Sequence, residues 1–471
     1  MELPEDMNPV HNNEQHQQQK QKVNEKQIPS PLDLLSNYAS SFIRLSGTNL
    51  LRVRPCGTDP QKKSTEDIIR IAGVKYLQYS SQSQNNYFQI PEDEENKDVQ
   101  LAQFLFAALE RIVCRQFEHA NSLLLHCCHW NYGNSVQRTI FHFSQALRER
   151  IKQETGSGMA TIPRLQRNPI EELQRDHNAA VACHKKLPFN QVMQFVGLQT
   201  IIEYLASHTK IHMIDLALGY GLMAATLMEA LAGRQENPVE LLKITAVVYG
   251  DSRGGVIDET GKRLVSLGES LNLRFLFKTV FVRDINELDT DDFEVEKDEA
   301  VVVYSPNFLR TLISFPDSLD KLMRVIKKIK PGLMIVLEVE ANHNSISFVN
   351  RFIESLFFFS ALFDCIETCL NQDDESRMRV ETILSEGIRN IVAFDERERI
   401  LRNVKIDVWR KFFTKLRMQE IKISESSVYQ GNLVVKKLGL SDICTIEKQG
   451  KCLILGWKGT PIHSISAWKF I

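Results

Sequence analysis

The sequence has no excess of charge of one sign and no long apolar segment. Its formal net charge is −2 over 471 residues, so the chain as a whole has no electrostatic drive toward nucleic acid or an anionic membrane surface. No apolar run reaches the roughly 18 residues that a membrane-spanning helix needs. The first thirty residues are polar and rich in Gln, which is not the pattern of a secretory signal. We therefore expect no membrane partner, and a location in the cytoplasm or nucleus.

The sequence also lacks the short motifs that mark most catalytic and metal sites. Its nine cysteines include no Cys-x-x-Cys pair, which favours free thiols in a reducing compartment. We find no Walker loop, His-Glu-x-x-His motif, EF-hand loop or local signature of a Ser/His/Asp or Cys/His nucleophile. The run His126-Cys-Cys-His129 follows a helical pattern, and neighbouring helix positions point about 100° apart, too far to share one ion. The sequence predicts no metal site and no catalytic residue.

Residues 1–98 are expected to form a largely disordered tail and linker. Residues 1–30 are dominated by Gln, Asn and Lys with few apolar side chains, so this part cannot bury enough surface to offset the entropy of ordering. A short helix is predicted around Glu66–Gln78. The folded part is expected to span 99–471.

The folded part begins with a long apolar stripe. Apolar residues from Val99 to Leu124 recur mostly at steps of three or four, which predicts one long amphipathic helix. Ser135 can cap a second helix that runs to about Ile151. Part of the first stripe must be core, and the remainder is either further core or an exposed partner-binding surface. The residues assigned to that surface are Leu105, Leu109, Ile112, Leu123 and Leu124.

Strands and helices alternate from about residue 191 onward. The strands are predicted at 211–218, 244–249, 274–280, 300–304 and 333–339, with helices between them. This alternation predicts βαβ units and a mostly parallel sheet with helices on both faces. A polar loop is expected at 371–379. Three short apolar segments near 421–424, 452–456 and 466–470, without helices between them, predict an antiparallel hairpin at the edge of the sheet.

A glycine turn follows the first of these strands. Gly219 and Gly221 come after the buried pentad Ile211–Asp215 and before a helix, so the helix N-terminus could face a cofactor. Asp251, after the second strand, could bind a ribose. The pattern resembles the first motif of class I methyltransferases, but Ala217 stands where a glycine is expected. In the simpler interpretation the glycines only make the turn, because a lone Gly-x-Gly is weak evidence.

One later helix has a basic face. Lys321, Arg324 and Lys328 alternate with apolar residues along it, so this face could contact phosphates or an acidic partner. A solvated helix face is the more common explanation of such a pattern.

Taken in order, the motifs resemble the GRAS family of plant transcriptional regulators. The pentad Ile211-His212-Met213-Ile214-Asp215 resembles that family's VHIID motif. The C-terminal Ser466-Ala467-Trp468, with Gly456 and Trp457, resembles its SAW motif, and Phe348-Val-Asn-Arg-Phe352 resembles its PFYRE region. The implied regions are leucine-rich region I at 99–155, VHIID at 179–243, leucine-rich region II at 255–287, PFYRE at 297–389 and SAW at 392–471.

The resemblance implies an α/β fold with a methyltransferase-like Rossmann core and an α-helical cap. It implies a nuclear, non-enzymatic transcriptional regulator without a cofactor, which acts mainly through association with other GRAS-like proteins or transcription factors. DNA contact would be direct or through a partner. A methyltransferase using S-adenosylmethionine at Gly219, Gly221 and Asp251 is the alternative. The tail carries neither the DELLA nor the TVHYNP motif of the gibberellin-responsive branch, so degradation triggered through that tail is not expected.

Overall fold

The computed structural model describes residues 63–80, 94–128, 133–156, 177–249, 254–371, 373–395 and 398–471. These residues form two compact units. The α/β unit consists of residues 180–341 and 401–471, and the helical unit consists of the described residues up to 179 together with 342–400. No helix in the described ranges is long and apolar enough to cross a membrane.

The helices and strands follow one another in a simple order. Up to the third strand they are α1 Thr65–Ser80, α2 Glu94–Val113, α3 Phe117–Leu125, α4 Ser135–Thr155, α5 His177–Lys186, α6 Pro188–Leu205, β1 Lys210–Asp215, α7 Leu222–Ala232, β2 Leu241–Tyr249, α8 Gly254–Ser270 and β3 Phe275–Val282. The remaining elements are β4 Ala300–Pro306, α9 Pro316–Ile329, β5 Leu333–Val339, α10 Phe348–Leu370, α11 Asp374–Val392, α12 Ile406–Lys415, β6 Met418–Ile421, α13 Glu425–Lys437, β7 Cys444–Gln449, β8 Cys452–Trp457 and β9 Thr460–Phe470.

The α/β unit is built on a nine-stranded sheet of order β3-β2-β1-β4-β5-β9-β8-β7, with β6 paired to β9. The first five strands in this order are parallel, and β9 runs antiparallel to β5. Every residue of β5 is buried, because helices cover both faces of a parallel sheet. The predicted fold class, an α/β protein with a Rossmann-like parallel core and antiparallel C-terminal strands, is confirmed.

Strands β8 and β9 form the predicted antiparallel hairpin, and β7 extends it to the edge of the sheet. Strand β9 lies inside the sheet between β5 and β8, and it also pairs with β6. Helix α13 separates β6 from the later strands, so the expectation of no intervening helix is wrong. Ser424 caps α13 through its side chain, and the helix buries Ser427, Gly431 and Val434 at helical spacing. Only Val434 of these three residues has a sizeable apolar side chain, so the helix shows a weak apolar periodicity in the sequence.

The helical unit contains α1 to α4, α10 and α11. Its core includes Ile69, Ile140 and Phe352, each with no exposed surface. The rings of Phe143 and Phe352 meet edge to face at 5.4 Å. Arg138 is buried and pairs with Glu381 at 3.0 Å. Helix α1, predicted within the tail and linker, packs into this core, so the helical unit begins before residue 99.

Three local predictions in the helical unit are corrected. The long first helix is broken into α2 and α3 at Arg115, whose φ is +57°. Asn134, not Ser135, caps α4, and it forms a capping box with Gln137. The segment expected to be a polar loop is mostly the start of α11, because the side chain of Asp373 accepts a hydrogen bond from the Ser376 backbone N–H and caps that helix.

Candidate functional site

The glycine turn joins β1 to α7 at the carboxyl edge of the parallel strands, where α/β sheets usually bind ligands. Gly219 and Gly221 have φ values of +55° and +72°, a conformation that residues with a Cβ rarely adopt. The predicted first strand is too long: β1 ends at Asp215, because the backbone begins to turn directly after it. The two glycines therefore do make the turn, as the simpler interpretation requires.

Helix α8 packs closely against this turn. A Cβ added at Gly221 would lie 2.7 Å from Cγ2 of Thr260 and 3.4 Å from Cδ1 of Leu264. The Thr260 hydroxyl, in a side chain that is 1% exposed, donates to the Gly219 carbonyl at 3.2 Å. This contact joins the turn to α8 inside the chain. No sequence motif pointed to Thr260, because its role depends on a residue 41 positions away.

The first turn of α7 offers little to a charged cofactor. Residues 222–225 are Leu-Met-Ala-Ala, and Gly221, at the N-cap position, makes no side-chain cap. Asp251, which would hold a ribose, lies outside the described residues. The described part of the turn thus favours a structural role for the glycines over a nucleoside site.

Asp215, the last residue of the VHIID-like pentad, is buried beside the turn. Its Oδ1 accepts a hydrogen bond from the backbone N–H of Ala217 at 2.9 Å, which is the kind of partner that the sequence predicted. Burial raises the pKa of Asp215 to about 7, and the Ala217 hydrogen bond opposes that rise. This hydrogen bond holds the backbone in the turn that follows β1.

His212, in the same pentad, joins three strands near their amino ends. Its Nδ1 lies 3.0 Å from Oε2 of Glu299, just before β4, and its Nε2 lies 2.8 Å from the hydroxyl of Thr245 in β2. Burial lowers the pKa of His212 to about 3, with help from the nearby charges of Lys243 and Lys278. The neutral ring therefore donates from Nδ1 to Glu299 and accepts from Thr245. The other pentad residues, Ile211, Met213 and Ile214, are buried apolar core.

The basic face of α9 is partly neutralised by neighbouring acidic residues. Arg324 and Lys328 are exposed and Lys321 is half-buried, while Nε of Arg324 lies 2.9 Å from Asp320. Hydrogen bonds from Thr290 lower the pKa of Asp289, and the charges of Lys328 and Lys321 add to this. A mixed-charge surface of this kind is a weaker phosphate-binding candidate than the sequence alone suggests.

The SAW-like residues are buried and make packing and hydrogen-bond contacts within the chain. Trp468 is 1% exposed, its Nε1 donates to the Ser466 hydroxyl at 2.9 Å, and its ring lies 4.6 Å from that of Phe413. Trp457 is fully buried and its ring lies 6.3 Å from that of Phe189. Ala467 is also buried. Gly456 sits at a β-bulge, where a Cβ would come 2.7 Å from the Thr445 hydroxyl. These residues fasten the antiparallel strands to the core.

The apolar stripe assigned to partner binding is mostly interior. Four of its five members are at most 2% exposed within the helical unit, namely Leu105, Leu109, Ile112 and Leu124. Leu123 is half-buried. The partner-surface interpretation is therefore wrong for the four buried residues, because α2 is enclosed by its neighbours and the stripe is core.

No group of three or more His, Cys, Asp or Glu side chains suited to a metal ion occurs within the described ranges. Cys127 is buried, and burial raises the pKa of its thiol to about 12. His129 lies outside those ranges.

Comparison with known proteins gives a consistent set of similarities. The model of the GRAS domain family matches residues 101–469. The chain is 28% identical to DELLA protein RGL1 of Arabidopsis thaliana over 380 residues, which cover 80% of this chain and 71% of that protein. It is 30% identical to GRAS family protein RAD1 of Lotus japonicus over 385 residues, covering 79% and 74% of the two.

Among solved structures, the chain resembles SCL7 in Oryza sativa. The TM-score is 0.69 at 23% identity, with 78% of this chain and 99% of that chain covered. At this identity the likeness concerns the fold.

Proposed function

The chain belongs to the GRAS domain family, and on this premise we propose that it is a nuclear transcriptional regulator that acts mainly by associating with other proteins. Its partners would be other GRAS-family proteins or transcription factors, in homo- or hetero-oligomers. It would control plant developmental or signalling genes. Its contact with DNA would be through such a partner or direct.

The observation that carries the non-enzymatic part of this proposal is the packing at the glycine turn. Thr260 and Leu264 approach Gly221 so closely that the turn is held by the chain itself. A turn that cradles a cofactor presents its backbone N–H groups to a ligand instead. The mixed charge around α9 and the net charge of −2 support DNA association through a partner, because strong direct binding depends on phosphate neutralisation.

The regulatory part can be tested by tethering. The full chain, fused to an unrelated DNA-binding domain, is expected to change transcription of a reporter that carries the matching site in plant cells. The DNA-binding domain alone is the control. A fluorescent fusion is expected to accumulate in the nucleus. An unchanged reporter with a nuclear, intact fusion would contradict the proposal.

The enzymatic alternative is tested by calorimetric titration with S-adenosylmethionine. We expect no saturable heat at micromolar concentrations of the cofactor. Micromolar binding that is lost in Gly221→Val would instead support a methyltransferase.

A further inference from the structure

Strand β3 forms one edge of the nine-stranded sheet. It pairs with β2, and within the described ranges no strand lies on its other side. Its outer side therefore presents backbone N–H and C=O groups that can bind another strand. The strand is eight residues long and reads Phe-Leu-Phe-Lys-Thr-Val-Phe-Val. Leu276 and Phe281, which lie on opposite faces of the strand, are 53% and 59% exposed.

This edge lacks the devices that usually protect an unpaired strand. Protected edges are short or carry free charges, Lys above all. Lys278 is the one charged residue of β3, but its Nζ lies 2.7 Å from Oε1 of Glu294, so its charge is offset within the chain. On the opposite face, a Cβ at Gly268 would lie 2.9 Å from Cβ of Phe275, so α8 sits close to the strand and supports it. Within the part of the chain that the structure describes, this edge is largely apolar and has no strand beyond it.

We propose that β3 pairs antiparallel with β3 of a second copy of this chain, across a two-fold axis at Thr279. The two sheets then become one continuous sheet. The proposal rests on the association part of the proposed function and assigns a surface to it. A two-fold contact between identical strands is the commonest form of self-association, since one patch serves both copies.

The register follows from the side-chain faces. Opposite residues in an antiparallel pair lie on the same face of the sheet, so in a two-fold pair each residue meets one an even number of positions away. With Thr279 on the axis, Phe277 meets Phe281 of the other copy, and Leu276 meets Val282. Both exposed apolar side chains of β3 thereby gain apolar neighbours. Shifting the strands by one step in one direction puts Arg274 opposite Val282, and one step in the other puts Leu276 opposite Asp284.

Charge complementarity at the ends of the strand supports the same register. With Thr279 on the axis, Arg274 meets Asp284 of the other copy, and symmetry repeats this pair at the far end. Both residues are exposed, and Asp284 has an extended backbone with φ −126° and ψ 128°. Within the described ranges Arg274 makes no ion pair. Two ion pairs therefore flank the apolar centre of the proposed contact.

The test is the oligomeric state of the purified full chain by sedimentation equilibrium. The wild-type chain is expected to form a dimer at micromolar concentration. Arg274→Asp and Asp284→Arg should each weaken the dimer about tenfold, because each places two like-charged pairs in the contact. Glu447→Arg, a charge reversal at an exposed residue of β7 on the opposite edge of the sheet, should leave the dimer unchanged.

Mixing the two weakened variants gives the decisive measurement. In an equimolar mixture the carboxylate introduced by Arg274→Asp meets the guanidinium introduced by Asp284→Arg on the other chain, so a heterodimer of wild-type strength should form. The two positions lie roughly 30 Å apart at opposite ends of one strand, so no pairing within a chain can explain the recovery. Circular dichroism spectra equal to wild type confirm that the variants are folded. A small fall in the urea midpoint is expected for Asp284→Arg alone, because the Asp284 side chain accepts a hydrogen bond from the Asn286 backbone N–H at 2.9 Å.

Three results would overturn the proposal: a wild-type chain that is monomeric up to about 100 μM, a dimer that neither reversal weakens, or a mixture that stays monomeric. The measurement uses no promoter and no reporter. A failure here therefore leaves the regulatory proposal standing, and a failed reporter test leaves this contact standing.

Discussion

At the scale of single residues, the VHIID-like pentad holds two buried ionisable groups that do different work. His212 crosslinks β1, β2 and the start of β4 through Thr245 and Glu299. Asp215 fixes the exit from β1 through the Ala217 N–H. Buried polar groups are stabilising only when they are hydrogen-bonded, and both groups are. The motif is therefore explained by the architecture of the sheet without a bound ligand.

Asp215→Asn should stabilise the protein at alkaline pH. The pKa of Asp215 is raised to about 7 by burial, whereas it is ~3.9 in an unfolded chain. The folded state thus favours the protonated carboxyl, and that contribution is present below ~4 and lost as the pH rises through ~7. Asn keeps the acceptor for Ala217 without a charge, so its advantage should grow by about 2–3 kcal/mol between pH 5 and pH 8.

Urea denaturation at pH 5 and pH 8 measures this effect. The exposed Asp258→Asn on α8 is the control and should give the same free energy of unfolding relative to wild type at both pH values. An Asp215→Asn effect that does not grow with pH would show that the carboxyl is ionised in the fold without penalty.

The residue-scale predictions from sequence succeeded where the contact is local. The backbone partner of Asp215 was predictable, because it lies two residues away. The partners of His212 lie 33 and 87 residues away, and only the order of strands brings them together. Thr260 was missed for the same reason.

At the scale of elements, the glycine turn and α8 form one packed unit. Gly221→Ala should cost more than Gly439→Ala, although both glycines have φ near +70°. Gly439 has open space where a Cβ would stand, so Ala there costs only the backbone strain of ~1–2 kcal/mol. At Gly221 the Cβ would also meet Cγ2 of buried Thr260 at 2.7 Å, which adds about 1–3 kcal/mol.

Chemical denaturation of the two variants measures the difference. Thr260→Ser removes the Cγ2 methyl group, so it should recover part of the loss in Gly221→Ala, as a double-mutant cycle would show. Equal costs at the two glycines would mean that α8 can shift to accommodate the added Cβ, and that the turn is not tightly packed against it.

Leu105→Asp should unfold the helical unit, and any loss of a partner would follow from that. Leu105 has no exposed surface, while Leu125 on α3 is 55% exposed. A carboxylate buried among apolar side chains costs several kcal/mol, so the thermal midpoint of Leu105→Asp should fall sharply and that of Leu125→Asp should change little. A well-folded Leu105→Asp variant that has lost its partner would restore the partner-surface interpretation.

Element order was predictable because strong periodicity extended over whole segments. The parallel strands β1 to β5 and the helices between them follow from alternating apolar patterns. The break at Arg115 was missed because apolar residues keep helical spacing on both sides of it. Helix α13 was missed because its apolar periodicity is weak. The sequence also could not show whether the stripe of α2 is covered, since that depends on α1, α3 and α4.

At the scale of the whole molecule, the antiparallel strands complete the α/β unit, and Trp468 is their main anchor. Trp468→Ala should lower the free energy of unfolding by about 3–5 kcal/mol, a large part of a typical ~5–15 kcal/mol. The exposed Tyr429→Ala, at 61% exposure, should change it little. Urea denaturation and steady-state abundance in cells measure both, and normal stability with lost activity would point to a direct contact role for Trp468.

Strand β9 has a consequence for how the protein is made. It lies between β5 and β8, yet it is synthesised after both of them. At ~5–20 residues per second, a nascent chain leaves one edge of β5 and one edge of β8 unpaired until Thr460 and the residues after it emerge. A chain truncated before that point would leave these strand edges unpaired, and it would be a substrate for chaperones and proteases.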